Sequence, residues 1–230
     1  MPKGFIIAID GPAASGKGTI AQKLAAELNG FYLYTGAMYR SIALLVINKG
    51  LNPESEQEVE SVLSDLNLEF SDSKIFLNGE DVTERIKESD TASGASEVGV
   101  WPKVRESVDQ KLREIAGKAE SDGKIVVSEG RDTATTIFPE ALVKIYLTAL
   151  PEVRAKRRLY QYSSLHAEDL KKTLKNLKER DERDSGRKAS PLPVDPESLG
   201  YFVLDNSKLT EDETLNVIYQ ELRKRKLIND

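Results

Sequence analysis

The sequence predicts an α/β fold, a five-stranded parallel sheet with helices on both faces, and three observations carry that prediction. Five short apolar runs stand apart along the chain, each bounded by Gly, Asp, Thr or Pro. Most of them are followed by helical patterning, and alternating strands and helices call for a parallel sheet covered on both sides. The loop after the first run is rich in glycine and opens directly into a helix.

The elements follow in order. Phe5–Ile9 is the first strand, and Ile20, Leu24 and Leu28 recur at i, i+4 and i+8 on the helix after the loop. Phe31–Tyr34 is the second strand. Between about residues 50 and 105 the rhythm changes. Leu66, Leu68 and Phe70 alternate with polar residues, as do Ile75 and Leu77, and Asn78-Gly79 is a hairpin-turn signal, so small antiparallel strands form an inserted subdomain. Lys124–Val127, Val143–Leu147 and Tyr201–Leu204 complete the sheet. The proline-bearing stretch Ser185–Pro196 reads as loop. Thr210 with Glu213 is a capping-box pattern, and Leu215, Ile218 and Leu222 share one face of the last helix.

Composition sets limits. A chain of 230 residues holds one α/β domain with an insertion, and 39% hydrophobic with 31% charged residues excludes a disordered or membrane-embedded chain. With no cysteine, a disulfide scaffold and a thiolate metal site are excluded, and a reducing cytoplasm fits. Thirty-three Lys and Arg against 38 Asp and Glu give a charge of −5, unlike a protein that coats nucleic acid. Residues 154–187 nevertheless hold 11 Lys/Arg against 6 Asp/Glu. An acidic chain with one basic segment suggests a small anionic ligand, although a solvated helix face would look the same.

The glycine loop supplies the ligand's chemistry. Gly11, Pro12, Ala13, Ala14, Ser15, Gly16, Lys17, Gly18 and Thr19 run from the first strand into the helix. Glycines let the backbone wrap closely around phosphate oxygens, and loop N–H groups with the helix dipole favour a polyphosphate. Lys17 adds a point charge for the β- and γ-phosphates, which makes this a P-loop. The strict pattern wants a hydroxyl directly after the lysine, and Gly18 stands there instead, with Thr19 one place later to contact phosphate. An accompanying Mg²⁺ is therefore expected on phosphates and waters, with no protein metal ligand assigned. Asp10 either orients a metal-bound water or simply ends the strand.

Basic residues suggest a second phosphate. Arg40 and Arg131 each follow a strand end, toward the edge where α/β sheets bind ligands, and two guanidinium forks suit a phosphate dianion. Arg180, Asp184 and Arg187 fall at i, i+4 and i+7, and Arg154 and Arg158 at i and i+4 on the helix before. These are either solvated helix faces or a mobile lid over the transferring group, about 154–187. His166 has no evident partner and reads as a surface residue, and Trp101 as a packing residue.

Several motifs carry a resemblance. Lys17-Gly18-Thr19, Thr35-Gly36-Ala37-Met38-Tyr39-Arg40, Trp101-Pro102-Lys103-Val104-Arg105, Glu129-Gly130-Arg131-Asp132 and Lys178 through Arg187 stand in this order over nearly the whole chain. Together the chain resembles the nucleoside monophosphate kinases, and within them the bacterial cytidylate kinases. The resemblance implies a single P-loop domain over 1–230, acting in the cytoplasm as a monomer, without nucleic acid or membrane. It implies transfer of the ATP γ-phosphoryl to CMP or dCMP with Mg²⁺. The P-loop and Arg158 would bind ATP, with Lys17, Arg131 and Arg187 catalytic. Thr35, Gly36 and Gly130 would line the acceptor site, and Arg40, Arg131 and Arg187 would grip its phosphate. Arg180 and Asp184 would meet the sugar, and Ser96, Arg105 and Asp132 the base.

The base assignment has chemical sense of its own. Cytosine offers one amine donor and two acceptors, matching a carboxylate at Asp132 and a guanidinium at Arg105. Uracil reverses two of those positions and leaves buried groups unpaired. Glu129, where several relatives carry Asp, and Lys103, where some have Arg, leave cytidylate and uridylate both open. A nucleotide-gated switch is a competing class, but the Asn48-Lys49 pair lacks the aspartate of guanine-specific switches. A kinase for a non-nucleotide small molecule would keep the same fold.

Overall fold

The structure is a computed structural model that describes residues 4–71, 74–162 and 170–229; His166 lies outside the described residues. The elements run β1 (Phe5–Asp10), α1 (Lys17–Glu27), β2 (Phe31–Tyr34), α2 (Thr35–Asn48), α3 (Glu56–Glu60), β3 (Leu68–Ser71), β4 (Lys74–Leu77), β5 (Glu80–Asp81), α4 (Ser89–Val98), α5 (Pro102–Ser121), β6 (Ile125–Glu129), β7 (Val143–Thr148), α6 (Pro151–Tyr162), α7 (Leu170–Gly186), β8 (Phe202–Asp205) and α8 (Glu211–Lys224). All five apolar runs become strands of one parallel sheet in the order β2-β6-β1-β7-β8.

β1 is the centre of this sheet and is buried along its whole length, which is why Phe5–Ile9 reads as an unbroken apolar run. Ile7 and Ile9 pack with Ile20 and Leu24 of α1, Val127, Ile145, Leu147, and Leu215, Ile218 and Leu222 of α8. The capping box at Thr210 and Glu213 is present, with both reciprocal bonds made.

The chain divides into two compact units. The first comprises residues 1–33, 115–186 and 190–230, and so carries the large sheet. The second comprises 34–114 and 187–189, wider than the 50–105 segment, because α2 belongs with α4 rather than with the sheet. A methyl group on Gly94 of α4 would come within 2.9 Å of the Ala43 Cβ on α2, so the bare backbone at Gly94 lets the two helices pack closely. The second unit also holds the antiparallel sheet β3-β4-β5. Asn78 and Gly79 turn β4 into β5 with both residues at positive φ, as that sequence pair favours. Trp101 donates its indole N–H to the Pro53 carbonyl, 3.0 Å away, inside this unit.

One boundary differs from the sequence expectation. Ser185 and Gly186 are still helical, and the loop starts at Arg187. Ser185 turns its hydroxyl back onto the Asp181 carbonyl at 2.8 Å, which lets a residue usually found in turns stay in the last turn. Arg180 and Asp184 therefore share α7, whereas Arg187 stands beyond its end.

Candidate active site

The glycine loop, residues 11–16, leaves the C-terminal end of β1 and opens α1 at Lys17. Gly11 has φ +151°, and a Cβ there would meet the Leu147 carbonyl oxygen at 2.1 Å, so no other residue fits where the loop passes β7. Lys17 is only 6% exposed. Its Nζ donates to the Pro12 carbonyl at 3.1 Å, within its own loop. Burial, then the positive charge of Arg131, pulls its pKa down to about 7, while Glu129 and Asp184 act against this.

Arg131 follows β6. Its Nε donates to Asp184 Oδ2 of α7 at 2.8 Å, and its Nη1 to the Gly130 carbonyl at 3.0 Å. Arg180 is close enough to Lys17 to depress its charge further. The first unit thus gathers Lys17, Arg131, Arg180, Asp184 and Glu129 beside the glycine loop, four of them expected site residues. An anion brought there would meet two arginines and restore the charge that burial takes from Lys17.

Asp132 is buried, and its carbonyl accepts the Thr136 N–H at 2.9 Å. Thr133–Ile137 form a single π-turn, a rare geometry that marks functional sites more often than ordinary helix does. Asp10, read above as a strand end or a partner of metal-bound water, is hydrogen-bonded within the protein. Its Oδ1 accepts from the Thr133 N–H at 2.8 Å, and its Oδ2 from the Ala134 N–H at 2.8 Å and the Tyr201 hydroxyl at 2.7 Å. Both oxygens thus accept bonds from the protein.

Sequence reasoning missed a second set of contacts on the loop. Asp181 Oδ1 accepts from the Ala13 N–H at 3.1 Å, and its Oδ2 takes Arg154 Nη1 at 2.6 Å. Arg154 also donates to the carbonyls of Ala13 and Ala149, each at 3.0 Å. Rather than a free lid cation, Arg154 is a buried brace. Arg157 Nη1 donates to Ser15 O at 3.1 Å and to Asn206 Oδ1 at 2.9 Å. A cavity of about 490 Å³ opens beside Ala14, Gly16, Thr19, Arg157, Asn206 and Thr210. Arg157 lines it and Arg158 does not. The spacing rule offered Arg154 and Arg158, and nothing in a run of three basic residues distinguishes which one turns inward. Asn206 had one available signal, a polar residue at a strand end.

The second unit carries the remaining candidates. Thr35 starts α2 and is buried. A Cβ on Gly36 would lie 2.6 Å from the Tyr34 ring, so a larger residue there would have to displace that ring. Arg40 Nη1 donates to the Ile86 carbonyl at 2.6 Å, and its guanidinium lies 6.0 Å from the Tyr34 ring centre. Arg105 is 3% exposed, donates to the Gly99 carbonyl at 3.0 Å and stacks 5.3 Å from the Tyr39 ring centre. The Ser96 hydroxyl is buried without a hydrogen-bond partner among the described residues, so this unit holds a polar atom that a ligand could satisfy. Arg187 is half-buried just past α7.

Comparison with known proteins agrees with this chemistry. A family model described as cytidylate kinase matches residues 7–224. A cytidylate kinase of Caldanaerobacter subterraneus is 41% identical over 219 residues, covering 95% of this chain and 94% of its own. One from Neisseria meningitidis serogroup A is 42% identical over 226 residues, covering 97% and 100%. The fold is shared with the solved structure of an uncharacterized protein from Eubacterium ventriosum, with a TM-score of 0.55 at 17% identity over 96% of this chain and 98% of that one.

Proposed function

The chain belongs to the cytidylate kinase family, and from that premise we propose how its residues carry out the reaction. It transfers the γ-phosphoryl of ATP to CMP or dCMP, giving ADP and CDP or dCDP. The bond from the γ-phosphorus to the ADP oxygen breaks, and a bond from that phosphorus to an acceptor phosphate oxygen forms. Near neutral pH the acceptor phosphate, with a second pKa of about 6, is mostly a dianion and needs no base to attack. Catalysis is then positioning and charge stabilisation.

The single observation that carries this assignment is the cluster of Lys17, Arg131 and Arg180 beside a loop whose first glycine is sterically obligatory. Residues 11–19 hold the triphosphate, with Lys17 leaving the Pro12 carbonyl for the β/γ oxygens. The resemblance adds Arg158 to the ATP-binding set, whereas the cavity beside the loop is lined by Arg157, which is the better placed of the two. Thr35, Gly36 and Gly130 line the acceptor site. Arg40, Arg131 and Arg187 bind the acceptor phosphate, Arg180 and Asp184 its sugar, and Ser96, Arg105 and Asp132 its base. Residues 154–187 act as a lid that excludes water, which otherwise would compete with the acceptor.

Mg²⁺ is the ion such transfer generally uses, and the residues fit one held mainly by phosphates and water. Gly18 offers no hydroxyl, Asp10 already accepts three bonds from the protein, and among the described residues no three acidic or imidazole groups form a cage. Glu129 Oε1 stands beside Gly18, 3.7 Å from where a Cβ would be, and is a carboxylate that could accept from a water of the ion's shell. When bound, the ion neutralises charge on the β and γ oxygens. We further propose a cytoplasmic monomer acting on small nucleotides, without nucleic acid or membrane, in keeping with the acidic net charge. No helix among the described residues is long and apolar enough to cross a membrane.

An acceptor panel tests the assignment. ADP release from ATP and Mg²⁺ should be slow alone and rise at least about a hundredfold with CMP or dCMP, and UMP should be a much poorer acceptor. Asp132→Ala should narrow the CMP-to-UMP ratio by at least about tenfold. Equal ADP release with and without every monophosphate would instead describe a nucleotide switch.

A further inference from the structure

The segment bearing Arg131 and Asp132 is pinned on both sides to the end of one strand. Before it, the Gly130 N–H donates to the Ile9 carbonyl at 3.0 Å. After it, the N–H groups of Thr133 and Ala134 donate to the two oxygens of Asp10. Ile9 and Asp10 are the last residues of β1 before Gly11. The strand that launches the phosphate loop therefore also fixes the Arg131–Asp132 segment.

Asp10 does this with the help of a third donor. It is fully buried, and burial pushes its carboxyl above the ordinary carboxylate range. The Tyr201 hydroxyl, reaching Oδ2 from the residue before β8, is the third donor. Tyr201 is itself held edge-to-face against Tyr146 of β7, with ring centres 5.9 Å apart at 87°.

We propose that Asp10 and Tyr201 are a positioning pair that sets Arg131 and Asp132 in register with the phosphate loop, and so governs transfer rate and base selectivity without touching either nucleotide. The inference rests on the proposed roles of Arg131 and Asp132. A strand-ending carboxylate with a purely structural role would give stability and nothing else. A displacement of about 1 Å in a positioned group costs on the order of a hundredfold in rate, so small slack at the π-turn is kinetically visible.

The test uses Tyr201→Phe and Asp10→Asn in the full chain. Tyr201→Phe removes one donor and leaves both amide bonds. Asp10→Asn keeps the volume but turns an NH₂ toward a donor. The expected result is a fall of about tenfold in kcat/KM for CMP in Tyr201→Phe, and more in Asp10→Asn, through kcat rather than the KM for ATP. The CMP-to-UMP ratio should fall with it, by about fivefold or more. Folded variants that melt lower yet keep that ratio within about twofold of the wild type would overturn the pairing, since packing alone does not move selectivity. If Asp10→Asn does not fold, Tyr201→Phe decides alone. Wild-type enzyme in the same assay separates the two levels, because failure to phosphorylate CMP there would sink the roles given to Arg131 and Asp132 instead.

Discussion

Lys17 is the residue whose environment most needs a ligand. Burial, then Arg131, holds it near a pKa of about 7, against an ordinary value of 10.5. A triphosphate brought to its Nζ restores the charge, so ATP binding above neutrality takes up a proton. At pH 8 the expected uptake is most of a proton per ATP. Titration calorimetry in two buffers of different ionisation enthalpy measures it directly. Lys17→Ala should abolish both the uptake and phosphoryl transfer, while a wild-type uptake of zero would mean that Lys17 keeps its proton in the free enzyme. The sign for folding follows from the same shift. From about pH 7 up to about 10.5 the unfolded chain binds this proton and the folded chain does not, so Lys17's contribution to stability rises with pH there. The glycine loop and Lys17 were legible in the sequence because spacing alone defines them. Asp10 was not, because its donors lie 123 and 191 residues away in the chain.

At the scale of elements, α6 and α7 are joined through the phosphate loop by Arg154 and Asp181. Both are largely buried, with side chains 7% and 19% exposed, and each satisfies a backbone group of Ala13. Removing one partner strands the other, so Arg154→Met should cost about 3 kcal/mol in urea unfolding. Asp181→Ala should cost less than Arg154→Met, because Arg154 keeps its two carbonyls. The double variant should cost less than the sum of the singles. Losses under about 0.5 kcal/mol in both singles would reduce the brace to a surface ion pair. Helical spacing placed Arg154 on a candidate lid face but could not show that its face turns inward. The end of α7 was misjudged for a related reason. Ser185 and Gly186 are poor helix formers by themselves, and the bond from Ser185 to the Asp181 carbonyl depends on the helix already being there.

For the whole molecule, strand positions were the easiest property to read. β1 is apolar throughout because both its faces are covered, and the other four runs are short segments with clear Gly, Asp, Thr or Pro borders. The capping box and the Asn78-Gly79 turn were equally legible, since each is complete within four residues. Where one compact unit ends and the other begins was harder, because α2 is continuous with β2 in sequence yet groups with α4 in space. The central claim concerns the glycine loop as a triphosphate cradle with a second phosphate held by arginine. A crystal structure with CMP and a non-hydrolysable ATP analogue tests it most directly. The account predicts phosphate oxygens against the backbone N–H groups of residues 11–19, Lys17 Nζ moved off the Pro12 carbonyl onto them, and the CMP phosphate on Arg131. A complex with that loop empty, Lys17 still on Pro12 and Arg131 away from any phosphate would contradict it.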